Sequence, residues 1–158
     1  VKQRNLHISR RWQAVSVAIL LCLFALQLIH VARVTSSSWD EGHHLFDGYT
    51  IWTRHDYRAN AEVPPLVKLT ASLPLLAEHL QVPPNQGKSQ SMEAFLDGRA
   101  FLFHNGANRT LFPARMACMI FALVLALLLY AAALEMFGAA VALLALAFFI
   151  FDPTFLAN

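Results

Sequence analysis

The chain has 158 residues, 57% of them apolar and only 14% charged, with a formal net charge of +2 and a mean hydropathy of +0.47. A soluble domain carries about 45–50% apolar and about 25% charged residues, and here the apolar residues pool in two long regions rather than spreading as a soluble core needs. Nucleic acid is excluded as a partner: the net charge is small, and Lys2, Arg4, Arg10 and Arg11 all lie in the first eleven positions, where membrane orientation accounts for them.

An apolar run from about Ala14 to Val34 follows that basic flank. At 1.5 Å rise per residue a helix of this length covers about 30 Å, the thickness of a bilayer's hydrocarbon core. Hydrocarbon offers no partner to backbone N–H and C=O groups, so the segment must be helical. The run exceeds the usual 7–15-residue core of a signal peptide. VTSSSW beyond it lacks a small-x-small exit, so the helix is expected to stay uncleaved. Gln27 and His30 near its far end ask for a protein neighbour or the headgroup level.

A polar segment spans about residues 35–111, with eight acidic side chains against six basic. The positive-inside rule puts the N-terminus in the cytoplasm and this loop on the opposite, extracytoplasmic side. Within it, Glu41 to Trp52 and Leu66 to Leu80 read as short helices, the second broken by Pro74 and lying in the membrane interface plane. Glu62–Val63–Pro64–Pro65 between them reads as extended, because a residue before proline is driven from the α region. Gln81 to Ser91 reads as an exposed loop, and Met92 to Asn105 as a further helix with Gly106 as its C-cap.

Spans are then expected at about 113–136, with Pro113 in the first turn, and at about 139–155. Cys22 and Cys118 fall inside spans and imply no disulfide. The fold class that follows is an all-α, multi-pass integral membrane protein. Residues 1–158 are expected to form the N-terminal part of one transmembrane domain, truncated after about three helices, with a helical extracytoplasmic loop.

Two constellations in that loop carry chemistry. Trp39–Asp40–Glu41–Gly42–His43–His44 follows the first span, and on a helix Asp40 shares a face with His43 and His44. A carboxylate there can act as general base on an incoming hydroxyl or amine; the plainer alternative is a solvated juxtamembrane turn. Asp40, Glu41, His43, His44 and His55 also supply donors for a divalent ion, with His43 and His44 as the weak candidates and no HExxH to organise them. The second constellation is Glu62, Pro64–Pro65 and Lys68, where free first-turn N–H groups beside an ammonium suit a phosphate. The alternative is a lysine snorkelling to the headgroups.

Trp39–Asp40–Glu41–Gly42–His43, Gly48–Tyr49, Asp56–Tyr57, Glu62–Val63–Pro64–Pro65–Leu66–Val67–Lys68, Pro74 and the terminal Phe151–Asp152–Pro153 resemble, in order and spacing, the dolichyl-phosphate-mannose protein mannosyltransferase family. Its bacterial members include the lipid A aminoarabinose transferases. The resemblance implies a GT-C fold in a bacterial inner membrane and an inverting glycosyltransferase that takes a sugar from a polyprenyl phosphate donor. The acceptor would be a protein, lipid or glycan. It implies Asp40, with Glu41, as the catalytic carboxylate pair; His43, Tyr49 and Glu62 as substrate contacts; and Lys68 and Arg115 at the carrier phosphate. It names no definite cofactor, and a divalent metal ion would serve the same charge-matching end. Val63 stands where many members carry histidine, which leaves the sugar open. A second acidic motif is expected beyond Asn158, so these residues alone are expected to be inactive. Two other classes fit the same residues: a transporter or flippase subunit with Gln27 and His30 on a substrate path, and a non-catalytic membrane scaffold.

Overall fold

The two longest apolar runs form the two longest helices of the computed structural model, α1 (Arg10–Val34, 25 residues) and α5 (Ala107–Phe137, 31 residues). Both are long and apolar enough to cross a membrane. The structure describes residues 9–58, 63–83 and 92–157, and among these all regular structure is helical. Between the long helices lie α2 (Glu41–Arg54), α3 (Pro65–Ser72), a 3-10 helix (Leu73–Ala77) and α4 (Met92–His104). After them come α6 (Ala139–Ile150) and α7 (Pro153–Ala157).

Two expectations change. The third apolar helix was expected to run to about residue 155, but α6 ends at Ile150 after 12 residues, about 18 Å at the α-helical rise, and is short for a span. Asp152 precedes Pro153 and is driven from the helical region, and its Oδ1 accepts from Thr154 N at 2.8 Å to start α7. The second long helix begins at Ala107, six residues earlier than expected, so Pro113 lies inside it rather than in its first turn. Pro113 has no N–H to offer the carbonyl of Arg109, one bond that the surrounding helix does without.

The chain divides into two compact units, Val1–Val31 with Met119–Asn158, and Ala32–Cys118. In the first, Phe24, Ala126, Leu146 and Ile150 form a fully buried cluster. Phe24 meets Phe149 edge-on at 5.7 Å, and Phe149 meets Phe155 at 4.4 Å. Elsewhere α1 exposes Ile19, Leu23 and Leu26, and α5 exposes Ile120, Leu127 and Leu128.

The second unit is built on α2. Its outward ends are polar, while Leu45, Phe46 and Tyr49 turn into a core shared with Ala71, Leu75, Phe101, Leu102, Leu111 and Ala114. Contacts between α2 and its neighbours are backbone-close. A methyl group on Gly98 of α4 would lie 2.5 Å from His43 Cα, and one on Gly42 would lie 2.8 Å from Gly98 O. At the other end Gly48 lies against Lys68 O and Ser72 Oγ of α3. These glycines are where helices cross too closely for a Cβ.

Alanine normally helps a helix interior by up to about 1 kcal/mol over glycine. Here Gly98→Ala must displace backbone, and overpacking of that kind costs about 1–3 kcal/mol. The variant is expected to melt at a lower temperature than wild type in detergent, and an equal or higher midpoint would contradict the crossing geometry.

Pro64 and Pro65 open α3, with Pro64 extended at φ −52°, ψ 137°. Pro74 then tightens the continuation into the 3-10 helix. The Tyr49 hydroxyl donates to Glu78 O at 3.2 Å and accepts from Leu80 N at 3.4 Å, which pins the exit of that helix to α2. Trp52 Nε1 donates to Leu69 O at 3.0 Å. α2 ends at His55, the only non-glycine among the described residues with positive φ (53°), in a left-handed cap whose N–H groups return to Ile51 and Thr50. Just beyond it Arg58 grips Asp56, and its hydrogen bond holds that carboxyl down to about 2 from an ordinary 3.8. The stabilisation from that pair is therefore present above the ordinary value and disappears only as pH falls toward 2.

Candidate functional site

Five of the residues that the sequence singles out, Asp40, Glu41, His43, His44 and Arg115, meet at the N-terminal end of α2. Thr35 and three serines carry the chain from α1 to Trp39, and Asp40 takes the N-cap position without capping through its side chain. Its carboxylate instead accepts from Ser38 Oγ at 2.9 Å on Oδ1 and meets His44 Nε2 at 3.5 Å through Oδ2. Asp40 is 57% exposed at its side chain and His44 32%. The Ser38 hydrogen bond, with the nearby His44, holds the Asp40 carboxyl below the ordinary carboxylate range although partial burial opposes it. Asp40 is therefore ionised at neutral pH and open to a ligand, as a hydrogen-bond acceptor must be.

Glu41, its neighbour, is engaged in a different way. Arg115 of α5 donates Nε to Glu41 Oε1 at 2.7 Å and Nη2 to Oε2 at 2.8 Å, a two-point fork that fits a carboxylate. Ser38 N adds a third bond to Oε2 at 2.8 Å. Burial pushes the Glu41 carboxyl upward, but the Arg115 and Ser38 hydrogen bonds outweigh it and leave the group below its usual value. The two adjacent carboxylates thus differ in environment: one faces solvent, the other closes a clamp.

The remaining candidates are placed as follows. His43 is buried (7% exposed), stacked on His44 at 5.9 Å and edge-on to Phe95 at 5.1 Å. Tyr49 lies in the core with its hydroxyl on Glu78 O. Lys68 does not reach the surface: it is 4% exposed and its ammonium forms an ion pair with Asp47, which is fully buried. Asp47 Oδ1 has no hydrogen-bond donor among the described residues. Arg115 spends its guanidinium on Glu41 and on the carbonyls of Ala32, Thr35 and Ser36. Glu62 lies outside the described residues. The structure therefore brings Asp40, Glu41, His43, His44 and Arg115 to one end of α2, and sets Lys68 and Tyr49 deeper, along its length.

Among the described residues no three His, Cys, Asp or Glu side chains gather to hold a metal ion. His43 lies edge-on to Phe95 and His44 meets Asp40.

Sequence reasoning missed Asp47, Ser38 and Gly98. Ser38 carried a signal: Ser38-x-x-Glu41 matches a capping-box sequence, and Glu41 does accept from Ser38 N, although Asp40 and not Ser38 takes the N-cap position. Asp47 carried none, since a buried carboxylate and a solvated one look alike until the lysine is placed. Comparison with protein-family models, with curated proteins and with solved structures gives no match, so the family likeness rests on the motifs alone.

Proposed function

We propose that this chain inserts into a membrane through α1 and α5 and serves glycosyl transfer from a polyprenyl phosphate donor, with Asp40 as the catalytic carboxylate. The observation that carries the reading is the contrast within the acidic pair. Asp40 presents an ionised, half-exposed carboxylate at the tip of α2, and Glu41 beside it is tied down by Arg115. Apolar helices on either side of this polar unit in the sequence would keep such a carboxylate near a membrane surface, where a lipid-linked sugar arrives.

In the reaction an acceptor hydroxyl or amine donates its hydrogen bond to Asp40 and attacks the anomeric carbon of the sugar. The new bond from acceptor to sugar forms as the sugar–phosphate bond breaks on the opposite face, so the configuration inverts. The bonding pair leaves with the carrier phosphate, and the acceptor proton passes to Asp40. A carboxylate held below its usual pKa is a modest base, so Asp40 takes the proton as the new bond forms and, until then, aligns the nucleophile and stabilises the charge that builds on it. Lys68 and Arg115, the cations assigned to the phosphate by the family likeness, are engaged with Asp47 and Glu41. Either would have to leave its partner to meet the carrier.

The test uses the native full-length protein in nanodiscs, with undecaprenyl phosphate, the moiety that all such donors share. Saturable binding by native mass spectrometry, with transfer from undecaprenyl-phosphate-linked mannose, glucose or aminoarabinose to a membrane acceptor, is expected. Binding without transfer from any of these donors would favour the transporter or flippase reading, and absence of binding would remove the polyprenyl carrier altogether.

A further inference from the structure

Arg115 has five N–H groups, and its acceptors account for all of them. Nε meets Glu41 Oε1 at 2.7 Å, and Nη2 meets Glu41 Oε2 at 2.8 Å and Ser36 O at 2.9 Å. Nη1 meets Ala32 O at 3.1 Å, Thr35 O at 2.9 Å and Thr35 Oγ1 at 2.9 Å. The Ala32–Cys118 unit contains every one of these groups. One side chain therefore holds the C-terminal turn of α1, the connection after it and the first residue of α2. Each backbone carbonyl it takes is one that a helix end or a loop leaves without an intrahelical partner. Arg115 and Glu41 are 17% and 28% exposed, so the fork is partly withdrawn from water.

We propose that Arg115 is the positioning residue of the Asp40 turn, with Glu41 as its counter-ion rather than as a second catalytic carboxylate. Asp40 stands between Ser38, which donates its backbone N–H to Glu41, and Glu41 itself. With both flanks fastened, the backbone of Asp40 has one orientation, and its carboxylate points where Ser38 Oγ and His44 hold it. A guanidinium suits this task because its planar fork matches a carboxylate at two points while its far edge reaches carbonyls. An ammonium is a point charge and does neither together. The proposal rests on the glycosyl-transfer reading for its effect on turnover, but its geometry stands without that reading.

The experiment compares Arg115→Lys and Glu41→Gln with wild type in the full-length protein, first by hydrogen exchange in nanodiscs and then by kinetics. Glu41→Gln keeps the size of the side chain and an acceptor for Arg115, and so serves if Arg115→Lys fails to fold. Exchange of the amides from Ser36 to His44 is expected to rise about tenfold or more, as follows from losing one hydrogen bond between charged groups, with the α2–α4 core unchanged. In turnover, kcat is expected to fall while KM for the donor stays constant, with a smaller fall for Glu41→Gln than for Arg115→Lys. An unchanged exchange pattern overturns the clamp. A raised KM at constant kcat overturns it in favour of a direct phosphate contact by Arg115. If wild type transfers no sugar while exchange responds as expected, the clamp stands and the glycosyl-transfer reading falls.

Discussion

Asp40→Asn is expected to lower sugar transfer by about 100-fold or more, the usual scale for losing a general base, while leaving donor binding and the melting temperature nearly unchanged. Asparagine keeps the shape of the side chain and can still accept from Ser38 Oγ. The contacts it weakens, to Ser38 and His44, are exposed ones worth little to stability. Turnover responds because the charge that receives the acceptor's proton is gone.

The pH profile provides an independent arm. Asp40's carboxyl is held below its ordinary value, chiefly by Ser38, so it stays ionised in mild acid. Activity that depends on it is present above that depressed pKa and is lost only as pH falls through it. Removing the Ser38 hydroxyl with Ser38→Ala is expected to move the acid limb upward, toward the ordinary carboxylate value. Wild-type rates in Asp40→Asn, with the acid limb unmoved in Ser38→Ala, would leave Glu41 or a carboxylate elsewhere in the protein as the better candidate.

Lys68→Met is expected to destabilise the protein by about 3–5 kcal/mol, the cost of leaving a buried charge without its partner. Asp47 is fully buried, and Lys68 is the only cation that meets it in an ion pair among the described residues. Asp47→Asn is expected to cost less if its amide finds the lysine as a donor. Replacing both residues, as Asp47→Leu with Lys68→Met, removes two desolvated charges together and is expected to recover most of the loss. Thermal unfolding in detergent measures all three, and the coupling between the two sites comes from the double-mutant cycle. A snorkelling or phosphate-binding Lys68 gives the opposite pattern: an unchanged melting temperature and, for the phosphate role, weaker binding of undecaprenyl phosphate.

Much of the fold could be read from the chain because its signals are local. Long apolar runs of this length read as helices, and they became α1 and α5. Pro64–Pro65 sets φ directly and opens α3 as expected, whereas Pro74, expected to interrupt one helix running to Leu80, sits inside a 3-10 helix that ends at Ala77. Gly106 closes α4 at φ +83°. The start of α5 was misplaced because Pro113 looks like a first-turn residue, and only packing of Thr110, Leu111 and Ala114 in the core explains a helix that begins before it.

The candidate site was legible in part for the same reason. Asp40 and His44 are four residues apart and meet as helix periodicity requires. The engagement of Lys68 and Arg115 depends on partners 21 and 74 positions away in the chain, Asp47 and Glu41, and no local pattern announces such a pairing. A basic residue after a Pro-Pro pair looks available for phosphate until a buried aspartate is found beneath it.

Asn105 has a consequence of another kind, in the chemical lifetime of the molecule. Its side chain pairs in both directions with Gln81, taking Gln81 N on Oδ1 and donating Nδ2 to Gln81 O, each at 2.8 Å, while Nδ2 also reaches Phe101 O at 2.8 Å. Asparagine followed by glycine is the sequence most prone to lose ammonia, because the next amide nitrogen attacks the side-chain carbonyl unhindered. Such a loss at Asn105 would replace a donor that faces two carbonyl oxygens with a negatively charged acceptor, so the contacts with Gln81 O and Phe101 O would turn to repulsion and only the bond from Gln81 N would survive. The Gly106 amide is occupied by Phe103 O at 3.3 Å. The same hydrogen bonds that close α4 therefore slow the ageing reaction that would loosen its hold on residue 81.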